Sequence, residues 1–131
     1  NWQVVYAEFA HHGMGNSIAA AMTHIADCSA ILIALADMPL VSPATFTALA
    51  EAAKPDRIVV PFFEYQRGNP VVVGRDFFTK LAELRGDSGA RQLMQQYPEF
   101  VLRLDVNDPG ILRDIDSPAE LLSIPGFRRS Q

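Results

Sequence analysis

The feature that most constrains the fold is an uninterrupted apolar run, AILIALA, over residues 30–36. Its length is typical of a strand, and the lack of any polar side chain indicates a central strand that is covered on both faces. Asp37 follows directly, and Met38-Pro39 then turns the chain away. The sequence therefore predicts a carboxylate at the carboxyl end of a central strand, which is where ligands bind in open α/β sheets.

Short strand-like segments alternate with helical patterns along the rest of the chain. Apolar residues recur at helical spacing around residues 18–25, 46–53, 77–84 and 90–97. Ser42 and Ser117, each followed by proline, are predicted to cap the starts of two helices. Further strands are predicted at 3–8, 57–61, 69–73 and 100–104. This alternation predicts an α/β fold with helices layered on a mainly parallel sheet.

One pair of predicted strands departs from the parallel pattern. The connection between residues 57–61 and 69–73 is too short for a parallel crossover, so these strands are predicted to form an antiparallel hairpin. Arg67, Gly68, Asn69 and Pro70 are the expected turn. The predicted sheet is therefore mixed.

Composition limits the classes of function. The chain has 131 residues, of which 49% are hydrophobic and 20% charged, and this composition predicts one domain over residues 1–131 with a frayed tail at 125–131. A formal charge of -4 argues against nucleic-acid binding. No apolar run reaches the roughly 20 residues that span a bilayer, so no membrane partner is expected. The single cysteine, Cys28, suits a cytoplasmic protein.

Three aspartates are candidate metal ligands. An ionised Asp37 at the end of a buried strand should meet a cation, a metal or solvent, although it could instead satisfy backbone N–H groups of its own turn. In RDIDSP, Asp114 and Asp116 lie two residues apart in an extended segment and so point the same way. Carboxylate oxygens suit Mg²⁺. Asp116 could equally pair with Arg113 or stabilise the helix that follows.

A glycine-rich loop is the second candidate binding feature. GMGNS, residues 13–17, comes just before a predicted helix, and glycines allow a close approach between backbone and ligand. Its spacing matches neither the P-loop nor the dinucleotide-binding pattern, so by itself it equally suits a flexible helix entry.

Five motifs in order resemble those of the MobA-like nucleotidyltransferases, with the molybdenum-cofactor cytidylyltransferases as the nearest subgroup. These are GMGNS (13–17), LADMPLV (35–41), RGNPVVVG (67–74), GDSGAR (86–91) and DIDSP (114–118). The resemblance implies a Rossmann-like nucleotidyltransferase fold with three layers. It also implies a reaction in which a phosphate of a molybdopterin-type acceptor attacks the α-phosphorus of CTP or GTP and releases pyrophosphate.

The resemblance assigns roles to particular residues. It implies that Asp37 is the catalytic Mg²⁺ ligand, with Asp116 and, less directly, Asp114 completing the metal site. The residues that it places at the nucleotide are Gly13, Gly15 and Ser17. Those that it places on the side of the pterin-type acceptor are Arg67, Gly68, Asn69, Asp87 and Gly89.

The sequence departs from the family pattern at two points. Asn69 stands where the family turn RGHP has histidine, which bears on the choice of acceptor. The family's opening motif, LAAGxSxRMGxxK, which holds the triphosphate, does not occur in these 131 residues. The chain is therefore expected to correspond to the C-terminal two-thirds of a family domain, truncated at its N-terminal side.

Two expectations follow from the missing motif. The 131 residues by themselves are predicted not to release pyrophosphate from CTP or GTP, and an open sheet edge favours a homodimer. Robust turnover by the isolated chain would contradict the first of these. The alternative functions are a noncatalytic binding or assembly module derived from the family and a nucleotide-sugar glycosyltransferase.

Overall fold

The computed structural model describes residues 2–128, which form a mixed five-stranded sheet flanked by helices. The strands are β1 (Ala30–Ile33), β2 (Ile58–Phe63), β3 (Gln66–Arg67), β4 (Val71–Gly74) and β5 (Val101–Asp105). The α-helices are α1 (Met14–Met22), α2 (Pro43–Ala52), α3 (Phe78–Ala82), α4 (Ala90–Gln96) and α5 (Pro118–Leu122). Short 3₁₀ helices span Ala10–His12, Arg75–Phe77, Pro98–Phe100 and Pro109–Leu112.

The sheet combines parallel and antiparallel pairs. β4 lies between β1 and β2 and is antiparallel to both, whereas β5 is parallel to β2 on its other side. β1, β2 and β5 therefore run in one direction and β3 and β4 in the other, so that β2–β5 is the one parallel pair among the described strands. This confirms the predicted mixed α/β sheet, including the antiparallel pairing of residues 57–61 with 69–73.

Helices cover both faces of the sheet, so the fold has three layers. Side chains alternate between the faces along a strand, and β2 shows this directly. Ile58 and Val60 pack toward α1, α3 and α4, whereas Val59 packs with Leu49 of α2 on the opposite face. The sheet is the rigid platform on which the loops after β1, β3 and β5 are placed.

The predicted strand at residues 3–8 is wrong. Residues 2–7 have no regular secondary structure, and the side chains of Trp2, Val4 and Tyr6 are 99%, 94% and 88% exposed. A strand requires a neighbour to accept and donate its backbone hydrogen bonds. No other segment of residues 2–128 pairs with this stretch, so it does not form a strand despite its β propensity.

The predicted central position of the strand in AILIALA is also wrong for the described residues. β1 is shorter than predicted, ends at Ile33 and pairs only with β4 within residues 2–128. Its residues are half-buried rather than buried. An apolar run indicates that a strand is covered on both faces, but it carries no information on how many strands lie beside it.

The turn of the hairpin was predicted a few residues too late. β2 and β3 are joined by Glu64 and Tyr65, both at positive φ (46° and 69°), as in a two-residue turn that matches the twist of the strands. Arg67 instead ends β3, and residues 68–70 lead from β3 into β4. This difference leaves Arg67, Gly68 and Asn69 free of the hairpin turn and available to the site described below.

The two predicted helix caps are confirmed. Ser42 Oγ accepts a hydrogen bond from Thr45 N at 3.3 Å, and Ser117 Oγ accepts one from Glu120 N at 3.2 Å. Residues 125–128 contain no helix or strand, and the rest of the predicted tail, 129–131, lies outside the described residues. Among residues 2–128, no helix combines the length and apolar character needed to cross a membrane.

Candidate functional site

Three exposed carboxylates converge beyond the carboxyl end of β1. Asp37, Asp114 and Asp116 each present a carboxylate oxygen, and these oxygens all lie within 4.8 Å of one another. These are the three aspartates that the sequence singles out. Within residues 2–128 the Asp37 carboxylate accepts no hydrogen bond and Asp116 forms no ion pair with Arg113. Asp116 does lie directly before Ser117, the N-cap of α5, as its alternative role at the start of that helix requires.

Backbone contacts bring the three aspartates together. The N–H of Ile115, between Asp114 and Asp116, donates to the carbonyl oxygen of Asp37 at 2.7 Å. The N–H of Asp116 donates to Glu120 Oε2 at 2.9 Å, which ties the same segment to the start of α5. The loop after β1 and the segment before α5 are thus held edge to edge, with their carboxylates on one side.

The electrostatics of this cluster favour a cation. Repulsion from Asp114, followed by partial desolvation and repulsion from Glu120 and Asp37, raises the pKa of Asp116 above its ordinary value of 3.8. Three carboxylates that repel one another at this spacing are stabilised when a positive ion lies between them. Such oxygen donors are those that Mg²⁺ and Mn²⁺ prefer, so the residues present fit a divalent metal.

The segment Arg67–Asn69 lies beside the carboxylate cluster. Asn69 N donates to the carbonyl oxygen of Ile111 at 2.9 Å, and Gly68 N donates to that of Pro61 at 2.9 Å. Gly68 is buried so closely that a Cβ there would overlap the Ile111 carbonyl oxygen. Glycine is therefore required by backbone packing at this position, which presents the exposed Arg67 and the half-buried Asn69 on either side.

Two adjoining cavities open on this segment. The first, of about 230 Å³, is bordered by Asp37 and Asp114, and the second, of about 240 Å³, by Asp87 and Arg91. Both are lined by Leu35, Arg67, Gly68 and Asn69, which therefore form the wall between them. The structure thus places two of the predicted metal residues, Asp37 and Asp114, and four of the predicted acceptor residues, Arg67, Gly68, Asn69 and Asp87, around two cavities that share one wall.

Charge differs between the two cavities. Arg67 lines both cavities; the first also holds Asp37 and Asp114, whereas the second holds Arg91 and Asp87 together with an apolar wall. Neither arginine forms an ion pair within residues 2–128. Since an arginine fork binds phosphate or carboxylate well, the second cavity suits a ligand that combines an apolar ring with an anionic group.

The glycine-rich loop is used for packing between backbone segments. Gly15 N donates to the Gly86 carbonyl oxygen at 2.7 Å, and a Cβ at Gly13, whose φ is 124°, would overlap Gly86 and Asp87. Gly89 in turn lies against Met14, the first residue of α1. These contacts join the predicted nucleotide loop to the predicted acceptor turn.

The remaining predicted site residues do not line the two cavities. Ser17 is half-buried in the second turn of α1 and lines neither of the two cavities. Gly13, Gly15 and Gly89 likewise line neither cavity. The roles that the resemblance gives these four residues remain predictions.

Sequence reasoning missed a buried carboxylate, Asp108. It accepts hydrogen bonds from Thr45 Oγ1 at 2.6 Å, Ser42 N at 2.9 Å and Gly110 N at 2.9 Å, and its side chain is only 8% exposed. The signal was present, because Asp108-Pro109 is an N-cap followed by proline, the same pattern that identified Ser42-Pro43.

The hydrogen bonds of Asp108 lead to a prediction on pH. Burial raises the pKa of its carboxyl, but the bonds from Thr45, Ser42 and Gly110 outweigh it, so the pKa lies below 3.8 in the folded state. A carboxyl whose pKa is lower in the folded than in the unfolded state stabilises the fold at pH values above its unfolded pKa. This stabilisation is lost as the pH falls through the folded pKa. We expect Asp108→Asn to cost about 2 kcal/mol of unfolding free energy at pH 7.

The cost should shrink as the pH falls below the unfolded value of about 3.8 toward the lower folded value, where the folded wild-type carboxyl takes up its proton. Urea denaturation of both proteins from pH 7 to pH 3 measures it. A difference that stays constant over this range would contradict the prediction.

The structure is thus an α/β domain with a carboxylate cluster beyond its sheet and a neighbouring cavity lined by two arginines. Comparison with known families identifies its family. The MobA-like NTP transferase domain matches residues 1–100. The chain belongs to this family, as its motifs predicted.

Two curated relatives are similar in sequence. The purine catabolism protein PucB of Bacillus subtilis (strain 168) is 31% identical over 123 residues, which cover 91% of this chain and 59% of PucB. The nicotine blue oxidoreductase of Paenarthrobacter nicotinovorans is 29% identical over 117 residues, covering 83% of this chain and 57% of that protein. The chain therefore spans somewhat more than half the length of these relatives.

Solved structures share the fold. Rv0371c of Mycobacterium tuberculosis H37Rv superposes with a TM-score of 0.69 at 28% identity, covering 79% of this chain and 54% of Rv0371c. The Rv0371c homologue from Mycobacterium sp. strain JC1 also has a TM-score of 0.69 at 28% identity, with 79% and 52% covered. A further structure of Rv0371c, described as a complex with manganese, has a TM-score of 0.65 at 27% identity, with 79% and 56% covered.

Proposed function

We propose that the protein that contains this domain transfers CMP or GMP from CTP or GTP to the phosphate of a molybdopterin-type acceptor. In this reaction an acceptor phosphate oxygen bonds to the α-phosphorus while the bond from that phosphorus to the β-phosphate oxygen breaks, so that pyrophosphate leaves. The observation that carries the proposal is the convergence of Asp37, Asp114 and Asp116 within 4.8 Å, next to a cavity lined by arginines.

The carboxylate cluster supplies the metal site of the proposal. Asp37, Asp114 and Asp116 would hold Mg²⁺, whose chemistry is to neutralise charge that develops on the triphosphate during transfer. A cluster of unpaired carboxylates would otherwise repel a triphosphate, so the same residues also explain why the nucleotide would bind as its metal complex. The manganese complex of Rv0371c supports a divalent ion in a protein of this fold.

The second cavity supplies the acceptor site of the proposal. Ile33, Val71 and Met94 give it an apolar wall against which a flat heterocycle would pack, and Arg67 and Arg91 would bind the acceptor's phosphate. The wall that this cavity shares with the acidic one would bring that phosphate next to the metal-bound nucleotide. Catalysis of phosphoryl-type transfer depends mostly on such positioning.

The proposal is tested on the natural protein that contains this chain. Release of pyrophosphate is measured with CTP or GTP and with Mg²⁺ or Mn²⁺, in the presence and absence of a pterin phosphate acceptor. We expect release that requires the metal and the acceptor together. No release with any of these combinations would overturn the proposal and favour a noncatalytic binding module.

A further inference from the structure

Asp108 joins two parts of the chain that carry the carboxylate cluster. Its Oδ2 accepts from Ser42 N and Thr45 Oγ1, at the start of α2, although Ser42 and Asp108 lie 66 residues apart in sequence. Its Oδ1 accepts from Gly110 N, within the 3₁₀ helix Pro109–Leu112. The first part is the continuation of the loop that holds Asp37, and the second leads directly to Asp114.

The 3₁₀ helix capped by Asp108 contacts the loop after β1 and the segment Arg67–Asn69, and it leads into the segment before α5. Gly110 lies so close to the loop after β1 that a Cβ would overlap the carbonyl oxygen of Leu40. The fully buried Ile111 accepts the hydrogen bond from Asn69 N. The loop after β1, the segment Arg67–Asn69 and the segment before α5 are therefore all fixed relative to one short helix.

The carboxylate cluster needs such support. Asp37, Asp114 and Asp116 are exposed, and their like charges repel one another. Repulsion favours any movement that separates the loop after β1 from the segment before α5. The bonds from Asp108 to the starts of α2 and of the 3₁₀ helix oppose that separation without using any group that faces the cluster.

We infer that Asp108 is a positioning residue that sets the divalent-metal affinity of the Asp37–Asp114–Asp116 cluster by holding the two carboxylate-bearing segments together. The inference rests on the proposed function, since it assumes that the cluster binds a metal. Residues that orient metal ligands through hydrogen bonds typically change the affinity by about 10–100-fold when they are replaced.

Mn²⁺ binding to the natural protein tests this role directly. The measurement is the Kd from isothermal titration and the electron paramagnetic resonance spectrum of the bound ion, for the wild type, Asp108→Asn and Leu49→Ala. Leu49 is fully buried one turn after Thr45 on the same face of α2, packs with Val59 and Val72, and takes no part in the hydrogen bonds of Asp108. Leu49→Ala therefore lowers stability in the same helix without removing any of those hydrogen bonds, and serves as the matched control.

We expect Asp108→Asn to weaken Mn²⁺ binding by about tenfold or more and to change the spectrum of the bound ion. Leu49→Ala should keep the wild-type Kd at a temperature at which all three proteins are folded. In turnover assays, the metal concentration for half-maximal rate should rise for Asp108→Asn, while the rate at saturating metal changes less.

The outcomes separate this inference from the proposed function. A wild type that binds no Mn²⁺ would overturn the metal site and the inference with it. A wild type that binds Mn²⁺ with the same Kd and spectrum as Asp108→Asn would overturn the positioning role alone. If Asp108→Asn does not fold, Thr45→Val removes one of the three hydrogen bonds, and an unchanged Kd in that variant would overturn the role equally.

Discussion

Asp37→Asn is expected to lower metal-dependent pyrophosphate release by the natural protein at least about 100-fold. The amide keeps the size of the side chain but removes its charge, and a lost metal ligand costs more than the 10–100-fold typical of a supporting residue. Folding should be unaffected, because the side chain is exposed and the contact that fixes this loop uses the Asp37 carbonyl oxygen, which the variant retains. The measurement is initial rate as a function of Mg²⁺ concentration, with the melting temperature recorded in parallel.

The same substitution at Asp27 is the matched control. Asp27 is 97% exposed, lies near the opposite end of β1 and makes only a 3.7 Å ion pair with Arg75. Exposed pairs of this kind contribute little to stability, so Asp27→Asn should behave like the wild type. Unchanged turnover in Asp37→Asn would remove Asp37 from the metal site.

Gly68→Ala is expected to destabilise the domain by about 1–3 kcal/mol and to abolish most turnover. The added Cβ would overlap the carbonyl oxygen of Ile111, a fully buried residue that cannot move aside. The strain can be relieved only by displacing the segment Arg67–Asn69, which walls both cavities. Urea denaturation and pyrophosphate release measure the two effects.

Gly126→Ala separates the effect of overlap from that of an added methyl group. Nothing lies within 4 Å of a Cβ at Gly126, although its φ of 83° makes alanine unfavourable there. This control should lose about 1 kcal/mol of stability from the backbone alone and keep its turnover. Wild-type stability and turnover in Gly68→Ala would show that the segment tolerates a side chain.

The sequence predicted the elements of the fold better than their arrangement. Helix starts at Ser42 and Ser117 were identified because an N-cap is a local interaction, complete within four residues. The strand at 3–8 was predicted from equally good local propensity and does not form in the structure. Strand propensity measures how well a segment suits the surface of a sheet. The segment's own sequence does not show whether a partner strand is present to pair with it.

For the candidate site, too, the sequence predicted the residue types better than their contacts. The type and spacing of Asp37, Asp114 and Asp116 indicated oxygen ligands for a metal, and the motifs around them identified the family. The importance of Asp108 was not recognised, because its bonds to Ser42 and Thr45 cross more than 60 residues of chain. The resemblance placed Gly13 and Gly15 at the nucleotide, which stays a prediction, and the structure adds that their missing side chains allow contact with Gly86.

The sequence by itself determined the α/β class, the helix caps, the family and the three acidic residues that converge beyond the sheet. These follow from local periodicity, from capping chemistry and from motifs that are read along the chain. Only the tertiary structure decided that β4 lies between β1 and β2. It also decided that one 3₁₀ helix connects the loop after β1, the segment Arg67–Asn69 and the segment before α5, and that the cavity beside Asp37 and the cavity beside Arg91 share a wall. The physical reason is that these features depend on contacts between residues far apart in sequence, whose energies are set by packing and burial rather than by any segment alone.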